Sequence, residues 1–180
     1  TGPYSIVCIT KYDAGGTTGV NLAATWSGVA MSVLYHATFD SAAGNHFSCA
    51  VLGINGAQSG DIVITTMGGD DLSYITKLSL TNLVSSAVID NESETAEAAA
   101  SVQVDLDSLN TPDNGGIRIA VYANKDDVTA ITWTNGTEAA DLDAGSYRHS
   151  VAYDLGDDAT AIAPAGTLAA DKLVAGISLR

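Results

Sequence analysis

This sequence predicts an all-β fold, read as an antiparallel two-sheet β-sandwich, jelly-roll-like, with about ten strands. Three observations predict it. Short apolar runs separated by turn residues recur along all 180 residues, and hardly any stretch extends with the 3.6-residue period of a helix. The acids are seventeen Asp against four Glu, which favours turn formers over helix formers. Gly, Asn or Asp interrupts the chain between most of the runs, as antiparallel connections require.

Taken in order, Tyr4–Thr10 is the first strand, rich in β-branched residues and followed by the loop Gly15-Gly16-Thr17-Thr18-Gly19. Residues 1–10 read equally well as an ordinary first strand or as an arm or edge strand that reaches a neighbour. Met31–Thr38, His46–Ile54 and Asp61–Thr66 follow, then the turn Gly68-Gly69-Asp70-Asp71 and the strand Tyr74–Leu83. Asn91–Ala100 is polar and interrupted by Thr, so it reads as an exposed connection with at most one helical turn. Ser101–Leu106 is the next apolar run, closed by the turn at Pro112-Asp113-Asn114-Gly115-Gly116.

Ile117–Ala123 alternates, with Ile117, Ile119 and Val121 on one face and Arg118 and Tyr122 on the other. Asn124-Lys125-Asp126-Asp127 ends it, and Ala130–Trp133 is a short strand. In Tyr147–Tyr153 the residues Tyr147, His149, Val151 and Tyr153 oppose Arg148, Ser150 and Ala152, so that period two turns one set inward. Gly156-Asp157-Asp158 is a turn and Leu173–Leu179 the last strand. No composition break marks a linker, and the similarity between the halves falls short of a repeat, so residues 1–180 are expected to form a single domain.

Charge and size bound the function. Seven Lys and Arg against 21 Asp and Glu give −14, a surface that repels phosphate and argues against binding to nucleic acid or an anionic membrane. At 46% hydrophobic residues, a chain of this length buries roughly 70% of its unfolded surface without metals or disulfides. No run approaches the roughly 20 apolar residues of a membrane helix. Thr1-Gly2-Pro3-Tyr4 lacks the basic start and apolar stretch of a signal peptide, which leads us to expect synthesis in the cytosol, with a processed secreted form as the alternative.

The motif search yields no nucleophile elbow, zincin helix, phosphate loop or dinucleotide fingerprint, and a non-enzymatic protein is expected. Cys8 and Cys49 lie in strands and read as buried free thiols, a disulfide requiring close Cβ atoms on neighbouring strands. His36, His46 and His149 lack metal-ligand spacing and read as strand or strand-edge residues, so no metal or other cofactor is expected. Calcium is the one ion the acidic turns suggest, at Asp126/Asp127 or Asp157/Asp158; Asp141-Leu142-Asp143-Ala144-Gly145 fails the EF-hand template. Asn91-Glu92-Ser93 and Asn135-Gly136-Thr137 match glycosylation sequons, a frequent coincidence. Trp133, Tyr147 and Trp26 are candidate ligand-binding residues, since aromatic faces stack on sugar rings; the competing reading of Trp133 is a cap over the core beside the turn Asn135-Gly136.

One stretch carries a resemblance. Ile131-Thr132-Trp133-Thr134-Asn135-Gly136-Thr137-Glu138, then Asp141, then Ser146-Tyr147-Arg148-His149-Ser150-Val151-Ala152-Tyr153 resembles a segment of small β-rich structural proteins of bacteriophage virions. The likeness spans about residues 130–153, and its markers are the Trp-x-x-Gly-Thr-Glu run and the Ser-x-Ala of the next strand. It transfers no catalytic role. It implies an exposed virion component, a head-decoration or fibre/tail protein, whose partners are capsid or tail proteins and further copies of itself. Two alternatives stand beside it: an extracellular carbohydrate-binding module using Trp133, Tyr147 or Trp26, and a self-assembling filament subunit that exchanges strands.

Overall fold

In the computed structural model the described residues are 3–14, 22–65, 73–81, 83, 86–97, 101–104, 106, 116–125, 130–143, 145, 147–155, 161–165 and 171–179. The first half supplies β1 (Tyr4–Ala14), β2 (Ala23–Trp26), β3 (Val29–Ala30), β4 (Ser32–Asp40), β5 (Asn45–Asn55), β6 (Ile62–Thr65) and β7 (Ser73–Leu80). The second supplies β8 (Val88–Ala96), β9 (Ile117–Lys125), β10 (Thr132–Thr134), β11 (Thr137–Asp143), β12 (Tyr147–Asp154), β13 (Ala163–Ala165) and β14 (Lys172–Leu179). The fold is all-β and every strand pairing is antiparallel. Its fourteen described strands form four sheets, ordered β4-β5-β1-β7, β11-β12-β9-β14-β8, β3-β2-β6 and β10-β13, where about ten strands in two sheets were expected.

The two large sheets share one core, in which Ile6, Cys8, Phe47 and Val51 from one side meet Ile119, Val121, Tyr147, Val151 and Ile177 from the other. Each large sheet is also covered on its outer face. Val7, Ile9, Ala50 and Leu52 pack under Ala24, Trp26 and Met31 of the β2 region, while Ala120, Tyr122, Ala152 and Val174 pack under Val102, Val104, Leu106, Ile131 and Ile162. The alternation of residues 117–123 and 147–153 therefore separates two cores rather than core from solvent. Tyr147, His149 and Val151 point between the large sheets, and Ser150 and Ala152 point to the outer layer and are just as buried.

Four readings change. Residues 4–10 are no arm or edge, because β1 is flanked on both sides by β5 and β7 and forms the middle of its sheet. Residues 91–96 belong to the edge strand β8, which pairs with β14, while 98–100 lie outside the described residues; Asn91, Ser93 and Thr95 are exposed, and backbone pairing holds a segment whose one apolar side chain is Ala96. Ser101–Leu106 makes a single bridge, Val104 to Ile162, and serves as a lid whose Val102, Val104 and Leu106 are buried. The expected turns at 15–19, 68–71, 112–115, 126–127 and 156–158 lie outside the described residues.

The fourth change concerns the halves, which share one plan. In each, a long central strand (β1 or β9) is joined by a hairpin on one side (β4–β5 or β11–β12) and a last strand on the other (β7 or β14). The two short strands between these elements pair to form the outer layer, β2 with β6 and β10 with β13. The registers match: Cys8 lies opposite Val51 and Thr76, and Val121 opposite Val151 and Ala175. Tyr12 and Lys125, register-equivalent residues near the ends of β1 and β9, lie together, as a pseudo-twofold axis relating the halves would place them. Only β3 and β8 have no counterpart among the described strands.

Candidate functional site

The three aromatic candidates are not brought together. Trp26 lies in the outer layer over β1 and β5 at 4% exposure, and Tyr147 lies between the large sheets with none; neither ring presents a face to solvent. Trp133 is half-buried on the opposite outer layer, edge-on to Tyr122, with its indole Nε1 donating to Ser150 Oγ at 2.8 Å. Ser150 Oγ in turn donates to the Ala140 carbonyl, and a Cβ on Gly136 would come within 3.2 Å of Ala152 Cβ and 3.1 Å of Ile162 Cγ2. Trp133, Gly136, Ser150 and Ala152 are thus one packing unit that fastens the outer layer to β12.

The histidines also stand apart. His46 Nδ1 is 2.5 Å from Asp40 Oδ1 across the β4–β5 ladder, and His36 is half-buried on β4, its pKa lowered by burial. His149 has no exposed surface: Nδ1 is 2.8 Å from Thr10 Oγ1 and Nε2 is 2.7 Å from Thr76 Oγ1. A neutral imidazole has one donor and one acceptor nitrogen, and the two hydroxyls match both. Desolvation pushes the His149 pKa down to about 4, so the ring is uncharged at neutral pH. Tyr74, Tyr147, Tyr12 and Phe47 continue this contact as a row of rings with centroids 5.4–5.9 Å apart.

Cys8 and Cys49 are free and buried. They sit diagonally on β1 and β5, Cys8 opposite Val51 and Cys49 opposite Thr10, a placement about 7 Å apart in a sheet and too wide for a disulfide. Burial pushes both thiols up, and the Cys8 charge adds to this at Cys49, so neither is a ready nucleophile.

Several acids hold arginines. Arg118, 4% exposed, donates through Nε and Nη2 to Asp154 Oδ2. Arg148 donates to Asp141 Oδ2 at 2.6 Å and to Asp143 Oδ2 at 3.2 Å, and Asp141 Oδ2 also accepts from the Ile131 backbone N–H. Among the described residues no group of three His, Cys, Asp or Glu is placed to hold a metal ion; Asp126/Asp127 and Asp157/Asp158 lie outside them.

One open cleft, of about 490 Å³, lies where β7 and β12 finish. Leu78, Leu80, Leu83, Ile117, Tyr153 and Leu155 line it, with Ser79, Thr81 and Gly116 completing the wall. Leu155 is 68% exposed. Among the described residues the lining of the cleft holds no carboxylate, amine, imidazole or thiol and is suited to apolar matter. Beside it runs the outer edge of β7, which pairs with β1 alone among the described strands. Sequence reasoning missed this site; its one signal was Lys77, one of seven basic residues, in an otherwise uncharged strand. Comparison of the chain with protein-family models, with curated proteins and with solved structures finds no match.

Proposed function

We propose that this chain is a non-enzymatic structural protein of a bacteriophage virion, exposed on the particle as a head-decoration or fibre/tail component. The observation that carries the reading is the resemblance over residues 130–153, whose marker residues pack together as a structural clasp. The acidic composition supports it, since a charge of −14 keeps an outer protein soluble and off nucleic acid. So does the apolar cleft beside an edge that no further described strand covers, a feature suited to contact with another chain. Within this reading the two large sheets are the layers of one sandwich domain, each layer drawn from one half of the chain rather than interleaved as in a jelly roll.

Density-gradient sedimentation tests it. The protein is expected to travel with virus-sized particles at many copies and to remain bound after a high-salt wash. A protein that stays at the top of the gradient overturns the virion reading; saturable glycan binding lost in Trp133→Ala would then establish the carbohydrate-binding alternative, and long particle-free filaments the strand-exchange one.

A further inference from the structure

The pseudo-twofold axis allows each edge of the molecule to be compared with its mate. β7 corresponds to β14, yet β14 carries β8 along its outer side and β7 carries no described strand. At the covered edge Val88 of β8 lies opposite Leu179 and packs against the shared core, and Glu92 lies opposite Gly176. The matching positions on β7 are Leu80 for Leu179 and Lys77 for Gly176, from the shared register with β1 and β9. Val88 packs against the shared core beside Leu179, whereas beside Leu80 lies the cleft lined by Leu78, Leu80, Leu83, Ile117, Tyr153 and Leu155.

The other edges of the large sheets are protected. The β4–β5 and β11–β12 ladders have irregularities at Val33/Tyr35 and Glu138/Ala140, and the β8–β14 ladder has one at Ser178/Leu179. The β1–β7 ladder is regular over its eight pairs, from Tyr4↔Leu80 to Lys11↔Ser73. Its outer side is therefore a straight row of backbone groups suited to one more antiparallel strand.

We propose that the outer edge of β7 and the adjoining cleft dock an extended segment of another protein, antiparallel to β7, with an apolar side chain opposite Leu80 and a carboxylate opposite Lys77. The apolar side chain enters the cleft as Val88 enters the core at the mate edge. The carboxylate meets the Lys77 ammonium, which lies over the Trp26 ring at 5.1 Å on the outer face. A second copy of the same edge fits poorly, because a twofold β7–β7 pairing brings two Lys77 side chains together in a ladder where like charges repel. The inference stands on the comparison of the two halves and does not depend on the virion reading.

The probe is a synthetic peptide with the sequence of residues 86–97, the strand that covers the mate edge, titrated into the full chain. Saturable one-to-one binding is expected, with new amide-exchange protection at residues 76–80. Leu155→Asp, an exposed position on the cleft rim, and Lys77→Glu are each expected to weaken binding about tenfold or more, as is a peptide carrying V88D. Absence of saturable binding overturns the proposal. Binding unchanged by both protein variants overturns it too, because the peptide then lodges elsewhere, including by exchange with β8. Self-association of the chain that Leu155→Asp abolishes overturns the choice of partner.

Discussion

At one of two equivalent places between the large sheets, His149 sits between the hydroxyls of Thr10 and Thr76; at the other, Cys49 occupies the same position on β5 and shares a buried cluster with Ala123 and Ala175. The backbone registers are matched, and the chemistry is opposite. The apolar version needs no partners beyond packing, its thiol making one long contact, 3.8 Å, to the Leu173 carbonyl. The polar version is satisfied only while both hydroxyls and a neutral ring are present. One backbone plan thus accepts either solution, and the polar one makes its half sensitive to conditions that leave the other untouched.

Acid is the strongest way to break this equivalence. In the folded protein His149 titrates near 4, and in the unfolded chain near the ordinary 6.5. Between these values the unfolded chain holds a proton that the folded one lacks, so stability falls as pH falls. The contribution is complete above pH 6.5 and lost progressively down to about pH 4, a total of roughly 3 kcal/mol. Urea unfolding at stepped pH measures it. His149→Asn is expected to reduce the slope in this window by about one proton, roughly 1.4 kcal/mol per pH unit; an unchanged slope would show that His149 does not carry the effect.

A smaller break removes one hydroxyl. Thr76→Val preserves shape and strand preference and leaves His149 Nε2 buried without its partner, at an expected cost of about 2 kcal/mol in urea unfolding at pH 7. Thr10→Val acts on the other nitrogen of the same ring, so the double variant is expected to lose less than the two single losses added together. Strict additivity would mean that the two threonines do not act through one imidazole.

Which parts of this were legible in the sequence follows from burial. β5, β9, β12 and β14 are legible nearly to their ends and β1 as far as Thr10, four residues short, because a strand covered on both faces is continuously apolar or alternates between two cores. β8 and β11 were missed: edge strands of mixed and polar residues such as Ile89, Glu92, Glu94 and Asp141 satisfy their backbone through one neighbour and need little apolar content. β3 and β13 are two and three residues long, below any periodicity. The cap reading of Trp133 was legible from its neighbouring turn, while the repeat was not. Thr25-Trp26-Ser27-Gly28 echoes Thr132-Trp133-Thr134-Asn135-Gly136, but the pairs Cys49/His149, Lys77/Gly176 and Gly53/Tyr153 share no chemistry and are matched only by register. The β7 edge was invisible for a related reason: it is defined by which strand lies beside it, a property of topology and not of its own residues.

The smallest effect sharpens the comparison by making the halves more alike. Trp133 donates its indole N–H to Ser150, whereas the indole N–H of Trp26 has no partner among the described residues. The residue at the Ser150 position of the first half is Ala50, in the same outer cluster as Trp26. Directly opposite Ala50 on β4 is His36, whose Nε2 is likewise buried without a partner. A hydroxyl at residue 50 is expected to accept from the indole and donate to the imidazole, as Ser150 accepts from Trp133 and donates to the Ala140 carbonyl. Ala50→Ser is therefore expected to stabilise the protein by about 1 kcal/mol, against the usual loss when serine replaces a buried alanine. The urea midpoint reads the sign, and Trp26→Phe in the same background is expected to remove most of the gain. A destabilised Ala50→Ser would mean that the outer layers of the two halves differ in geometry as well as in side chains.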